Sequence, residues 1–241
     1  MTKPILLALV VTAVPIALFV ILFAVSRSWR QRDRARFIAG YRFPPALVRK
    51  YSEAHPELGL SQVRRVFEGL RQYFLACLAA QRRPIAPVVG MPSRAVDDAW
   101  HDFILATRDY QAFCRPAFGK YLHHTPEALM GTPMRDALAN TLHQFKHPLP
   151  GGVAWATLGT VPLLFAMDRE LDYPGGFIHD AQTLDALEAA RERLAGERAL
   201  LHGADGGAGS GTAGGGGSCG GGSGGGCCSG GGCSGGGGCG S

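Results

Sequence analysis

The chain has 241 residues and a formal net charge of +5, from 24 lysines and arginines against 19 acidic residues. Five of the arginines lie within residues 27–36 beside a single aspartate, so the rest of the chain is nearly neutral. A nucleic-acid-binding protein needs basic residues spread over a folded face, so this distribution argues against a nucleic-acid partner and favours a lipid surface.

The chain begins with an uncharged apolar run from Ile5 to Val25. As a helix this run would be about 30 Å long, the thickness of the hydrocarbon core of a bilayer. A cleaved signal peptide, with Ala24–Ser26 as the cleavage site, is the alternative, but the apolar part of a signal peptide is shorter, at about 7–15 residues. We therefore predict a transmembrane anchor at residues 1–26 and a basic juxtamembrane linker at residues 27–40.

The arginines that follow the run predict its orientation. One lysine precedes the run and five arginines follow it, and positive charge favours the cytoplasmic side. The prediction is a single-pass protein of the cell membrane, with its C-terminal domain in the cytoplasm and the lipid bilayer as a partner.

Residues 41–202 predict a small, all-α helical bundle, because their apolar residues recur with helical spacing and no run has the period of two typical of strands. Ser61, Ser93 and Asp109 are candidate N-caps, and residues 125–127 carry a further start signal. The predicted helices cover residues 44–54, 61–78, 94–107, 109–116, 134–145, 161–171 and 183–201.

A second apolar run covers Gly151 to Met167, but glycines, threonines and Pro162 interrupt it. Spanning helices need about 20 mostly apolar residues, so we predict a buried loop followed by a core helix. The alternative, a second span, would move the C-terminal tail across the membrane.

The tail, residues 203–241, contains 23 glycines in 39 residues. Such a segment has too few apolar side chains for a core, which predicts disorder. It also holds five cysteines, which lack both the Cys-x-x-Cys spacing and the histidines of a zinc site. A low-complexity tail with reduced thiols is favoured over a soft-metal or redox sponge. These cysteines are Cys219, Cys227, Cys228, Cys233 and Cys239.

The stretch from Ala95 to His124 concentrates the candidate functional residues. Asp97 and His101 are four residues apart, so a helix places them on one face at the edge of its apolar stripe. Imidazole, thiolate and carboxylate groups suit a zinc-like ion, and the loops are long enough to bring further ligands together. The alternatives are a catalytic site or an ordinary helical core, and plain structure accounts for the same residues. The candidate metal ligands are Asp97, His101, Cys114, His123 and His124.

Four short patterns carry a resemblance: D-x-x-W-H-x-F-I from Asp97, Y-x-x-F-C from Tyr110, G-x-x-x-H-H-x-P from Gly119 and P-L-L-F-x-x-D from Pro162. Together they resemble bacterial proteins described as glycine-rich domain-containing. The resemblance covers about residues 96–171 and, in kind, the glycine-rich tail. It implies a small helical domain without assigned catalytic residues, and its marked positions are Asp97, Trp100, His101, Tyr110, Cys114, His123 and His124.

Two functions are compatible with these residues. The favoured one is a cytoplasmic helical module that binds a ligand or a protein partner and is stabilised by one metal ion, zinc being the candidate. The alternative is a hydrolase-like, metal-dependent enzyme with Asp97, His101 and His124 as ligands and an open position for water.

Overall fold

The computed structural model describes residues 2–83, 86–126 and 129–203, and the side chains of residues 13–197 within these ranges. The predicted disorder of the tail concerns residues outside this part of the chain, apart from Gly203. The described residues confirm an all-α fold. The helices are α1 (Thr2–Ala39), α2 (Pro45–Ala54), α3 (Leu60–Ala80), α4 (Arg94–Leu105), α5 (Thr107–Phe118), α6 (Met134–Phe145), α7 (Leu163–Leu171) and α8 (Ala181–Gly203).

Helix α1 has two parts with opposite environments. Its apolar residues from Val14 to Val25 are exposed, and Phe19 is 70% exposed. Ala13–Ala39 is long and apolar enough to cross a membrane, a test that a signal sequence also passes. The following turns belong to the domain core, where Ala35 and Ile38 are fully buried. The basic segment 27–40 is part of helix α1 up to Ala39. The core therefore begins before residue 41, where the sequence predicted the start of the domain.

Helix α3 is the centre of the domain, because it contacts α1, α2, α4, α6 and α7. The apolar stripe of the helix predicted over residues 61–78 is buried, and so are residues on its other faces, including Gln72, Tyr73 and Leu75. Gly69 allows the close approach of α7, since a Cβ atom there would lie 2.7 Å from Cε of Met167. The predicted cap at Ser61 was wrong: Gly59 is the N-cap, and its N–H donates to the Gln62 side chain at 2.8 Å.

The predicted buried loop within residues 151–167 was also wrong. Residues 151–162 are exposed or half-buried and include a two-residue antiparallel hairpin, β1 (Thr157–Leu158) with β2 (Val161–Pro162). Helix α7 then has nine residues and is buried on most of its faces. A helix of that length rises only about 14 Å, which is too short to cross a bilayer.

Candidate metal centre

A buried carboxylate on α7 holds the first turn of α4. Asp168 is 3% exposed and accepts hydrogen bonds from the main-chain N–H groups of Arg94 (2.7 Å), Ala95 (3.2 Å) and Phe177 (2.8 Å), and from the Ser93 hydroxyl (2.5 Å). Ser93 in turn caps α4 by accepting from the N–H of Val96, as its position predicted. These bonds satisfy N–H groups that a helix start leaves without partners, and they orient the face that carries Asp97 and His101.

A second set of contacts holds the loop after α5 against α4. The Tyr110 hydroxyl donates to the main-chain oxygen of Leu122 at 2.6 Å and accepts from Trp100 Nε1 at 3.1 Å. Gly119 ends α5 with a left-handed φ of 73°, which turns the chain back towards α4. The Trp100 ring then packs on the His124 ring, with 4.5 Å between their centroids. The aromatic residues of the first two sequence patterns therefore position the histidine of the third.

The result is a compact group of three potential ligands. One ligand atom each from Asp97, His101 and His124 lies within 4.8 Å of the others. His124 Nε2 is 3.0 Å from Asp97 Oδ1, and His101 Nδ1 is 3.5 Å from Asp97 Oδ2. The two imidazole rings have centroids 4.3 Å apart. Because residues 97 and 101 share a helix face while residue 124 comes from a loop, only tertiary contacts assemble the group.

These distances fit a shared ion. Two ligands of a tetrahedral zinc, each about 2.1 Å from the metal, are separated by about 3.4 Å. His124 Nε2 and Asp97 Oδ1 are hydrogen-bonded at 3.0 Å, close to that value, and an ion held by both groups would replace the proton of this bond. One ligand atom of each histidine lies within 4.8 Å of the other, inside the limit of about 6 Å beyond which the two could not share a zinc. His101 Nδ1 also lies 2.8 Å from the main-chain oxygen of Asp97, which only accepts. Nδ1 therefore donates, and its 3.5 Å contact with Asp97 Oδ2 is not a separation between two metal ligands. Nε2 is the nitrogen of His101 with a lone pair for a metal, as in many metal sites.

The other two candidate ligands lie outside this group. Cys114 is 1% exposed among core residues, its thiol interacts with Tyr110 and with the backbone of Leu122, and burial raises its pKa. His123 is exposed and its ring lies against Tyr121, with centroids 4.9 Å apart. Of the five ligands predicted from the sequence, the structure brings together Asp97, His101 and His124.

The group lies in a cleft of about 620 Å3. Much of its wall is apolar, including Val88, Met91, Met130 and Met134. Asp97 and His124 are partly buried and His101 is exposed, so an ion held here would remain accessible from the cleft. Three protein ligands leave at least one coordination position for water or a bound molecule, which distinguishes such a site from a closed structural one.

Sequence reasoning missed two polar contacts around this site. Asp168 was recognised only as the last residue of a pattern, and nothing local in its sequence indicates that it would accept bonds from α4. Asp98, which no sequence pattern marks, accepts a 2.8 Å hydrogen bond from the hydroxyl of buried Tyr173. Asp102 is partly buried and pairs with Lys50 at 2.7 Å.

Comparison with known proteins returned a family model described as UCP032817-like, which matches residues 33–197. The match begins within α1, just before its buried residues, and includes the whole cleft. No curated protein and no solved structure matches the chain. The family model spans well over half of the 241 residues, and the chain therefore belongs to the UCP032817-like family.

Proposed function

We propose that this chain is a single-pass membrane protein whose cytoplasmic helical domain binds a divalent transition-metal ion, with zinc as the best candidate. The ligands are Asp97, His101 and His124, and the cleft around them receives a further molecule. The observation that carries the proposal is the convergence of these three side chains, within 4.8 Å, on the wall of a 620 Å3 cleft. Mostly apolar clefts with a few convergent polar groups are the usual form of ligand sites.

The nature of the ligand set supports a transition metal rather than calcium or magnesium. Two imidazoles and one carboxylate suit zinc and its neighbours, whereas calcium and magnesium prefer oxygen ligands throughout. Histidines that bind metals usually donate their other ring N–H to a carbonyl or carboxylate. His101 does so, because its Nδ1–H donates to the main-chain oxygen of Asp97. Trp100 covers one side of His124 and limits the rotation of its ring.

The anchor is supported by the exposure of α1. Its large apolar residues between Val14 and Val25 are 44–70% exposed, a surface that lipid would cover. Trp29, 64% exposed among the arginines, suits the interface between lipid and water. A reporter fused after His202 tests the orientation: activity only in the cytoplasm is expected, and activity outside the cell would contradict it. A measured mass that corresponds to a mature chain starting near Ser26 would contradict the anchor itself.

Elemental analysis of the full-length chain, purified in a neutral detergent, tests the metal site. About one equivalent of a transition metal is expected, with loss of at least tenfold in affinity after His101→Gln or His124→Gln, since each removes one of three ligands. The matched control is His123→Gln, the same substitution at the neighbouring histidine, which does not belong to the group of Asp97, His101 and His124. Equal metal content in all three variants, or none in the parent protein, would refute the site.

A hydrolase-like activity is the second candidate function, and the open coordination position in a wide cleft favours it. A metal ion with three protein ligands activates water by lowering its pKa, which is the chemistry of many zinc hydrolases. A panel of p-nitrophenyl esters and phosphates, assayed with the metal-loaded chain, separates the two functions. Turnover that His124→Gln abolishes and His123→Gln preserves would indicate the enzyme, and its absence would leave the binding module.

A further inference from the structure

We propose that a basic cluster formed by Arg83, His143 and His147 binds the phosphate group of an anionic phospholipid. The cluster lies away from the metal ligands, between the C-terminal end of α3 and the end of α6. The Arg83 guanidinium is 2.8 Å from His143 Nε2, and His147 Nε2 is 3.1 Å from the same atom. Lys146 and Arg191 are the neighbouring cations.

The first argument is a shortage of acceptors. A guanidinium only donates, so His143 Nε2 must accept from Arg83. Its single lone pair is then occupied, yet His147 Nε2 approaches it to within hydrogen-bond distance. Three nitrogen groups therefore converge where one acceptor is present. The oxygens of a phosphate would supply acceptors for the Arg83 guanidinium and for His147, in charge-assisted hydrogen bonds, while His143 continues to accept from Arg83 and holds it in place.

The second argument is local charge. Burial and the four basic neighbours lower the pKa of His143 to about 4, so the ring lies in a positive potential. Acidic groups are present on α8: Glu188 pairs with Lys146 at 2.8 Å, and Glu192 lines the adjacent surface. They do not reverse the potential at His143, and an anion beside this ring would be attracted to it.

The third argument is depth, and it rests on the proposed anchor. Arg27 follows the apolar run by two residues, so its guanidinium lies among the lipid headgroups if α1 spans the bilayer. The same guanidinium donates to the main-chain oxygen of Arg82 at 3.1 Å. Arg83 is the next residue along the chain, which places the cluster at headgroup depth. Helix α1 is continuous from the apolar run to Ala39, so no flexible link separates the span from the domain.

The surface next to the cluster suits an amphiphile. A depression of about 280 Å3 between α6 and α8 joins His143 and Lys146 to an apolar floor that includes Ala139 and Leu142. A phospholipid offers a matching arrangement, with an anionic phosphate beside less polar glycerol and acyl groups. A soluble phosphate would use the nitrogen donors alone.

The test uses the full-length chain in a neutral detergent and native mass spectrometry with dioleoyl phosphatidic acid or dioleoyl phosphatidylcholine. We expect retention of phosphatidic acid but not of phosphatidylcholine, and weakening by roughly tenfold in Arg83→Gln and in His143→Gln. The control is Arg49→Gln, an equal charge change at a side chain that is 71% exposed on α2. Arg83→Lys, which keeps the charge, should retain part of the binding.

Three results would overturn the proposal. Equal retention of phosphatidic acid by the parent chain, Arg83→Gln and Arg49→Gln would mean that the cluster is not the site. Equal retention of phosphatidylcholine would mean that the anionic headgroup is not recognised. Calorimetric binding of inorganic phosphate that needs Arg83, without retention of the lipid, would assign the cluster to a soluble anion. The metal content of the same preparations reports separately on the Asp97 group, so the two proposals fail independently.

Discussion

Replacing Asp168 by asparagine tests whether one buried carboxylate holds the helix that carries the metal ligands. The side chain is 3% exposed and accepts four hydrogen bonds, three from main-chain N–H groups and one from Ser93. Asparagine has almost the same shape but only one accepting oxygen. The substitution therefore changes hydrogen bonding and charge without leaving a cavity.

The asparagine amide can be placed in two orientations, which exchange its oxygen and its NH2 group, and the loss of stability is worked out for the less unfavourable one. Its oxygen keeps the N–H groups of Arg94 and Phe177, and its NH2 group faces the Ser93 hydroxyl, which accepts. The N–H of Ala95 then loses its acceptor, at about 1–3 kcal/mol. The two retained bonds lose their ionic character, at about 0.5–1 kcal/mol each, since charged hydrogen bonds are roughly twice as strong as neutral ones. The total loss in free energy of unfolding is about 3 kcal/mol.

Thermal unfolding of the full-length chain, followed by far-ultraviolet circular dichroism, measures this loss. A domain of this size shifts by about 2–4 °C per kcal/mol, so Tm should fall by about 10 °C. The control is Asp172→Asn, the same change at an exposed residue with a left-handed φ of 49° that asparagine tolerates. A Tm for Asp168→Asn within 2 °C of both the control and the parent would refute the reasoning.

Three further substitutions or treatments have expected outcomes. Gly69→Ala would place a Cβ atom 2.8 Å from Cγ2 of β-branched Val96, so the free energy of unfolding should fall by about 1–3 kcal/mol and the denaturant midpoint with it. Gly196→Ala, with open space around it on a helix, should raise the midpoint. An unchanged midpoint for Gly69→Ala would contradict the close packing. His143 has a pKa of about 4 when folded and about 6.5 when unfolded, so the unfolded chain binds more protons and stability should fall as the pH drops from 6.5 to 4. His143→Gln should flatten that part of the Tm profile, and an identical profile would contradict the assignment. Burial raises the pKa of the Cys77 thiol to about 12, so iodoacetamide at pH 8 should label Cys77 only after unfolding. Peptide mapping separates Cys77 from the cysteines of the tail, and rapid labelling of Cys77 in the native chain would contradict this.

The sequence determined the helices well where their signals are local. The Ser93 cap and the helical spacing of the apolar residues in α3 depend on contacts within a few residues, and both are present in the structure. The predicted N-cap at Asp109 was wrong: the N-cap of α5 is Ala106, three residues earlier, and Asp109 lies in the first turn. Helix α4 ends so close to α5 that Ala106 serves both ends. The exact ends of a helix depend on the elements next to it, and residue propensities carry no information about those.

The candidate site shows the same division. The i, i+4 spacing of Asp97 and His101 follows from helix geometry and was available from the sequence. Which of Cys114, His123 and His124 would join them was not, since adjacent residues in a loop point in different directions and only packing on Trp100 selects His124. Cys114 is drawn into the core because a thiol is a small apolar group.

The apolar run at residues 5–25, the arginines behind it and the helical period of the domain are properties of the linear chain, because hydrophobic length and local spacing need no partner. The tertiary structure decided that α1 continues into the core, that Asp168 holds α4 across more than 70 residues, and that three side chains converge on one cleft. These contacts depend on loop closure and side-chain direction, and their free energies exist only after the helices have packed together.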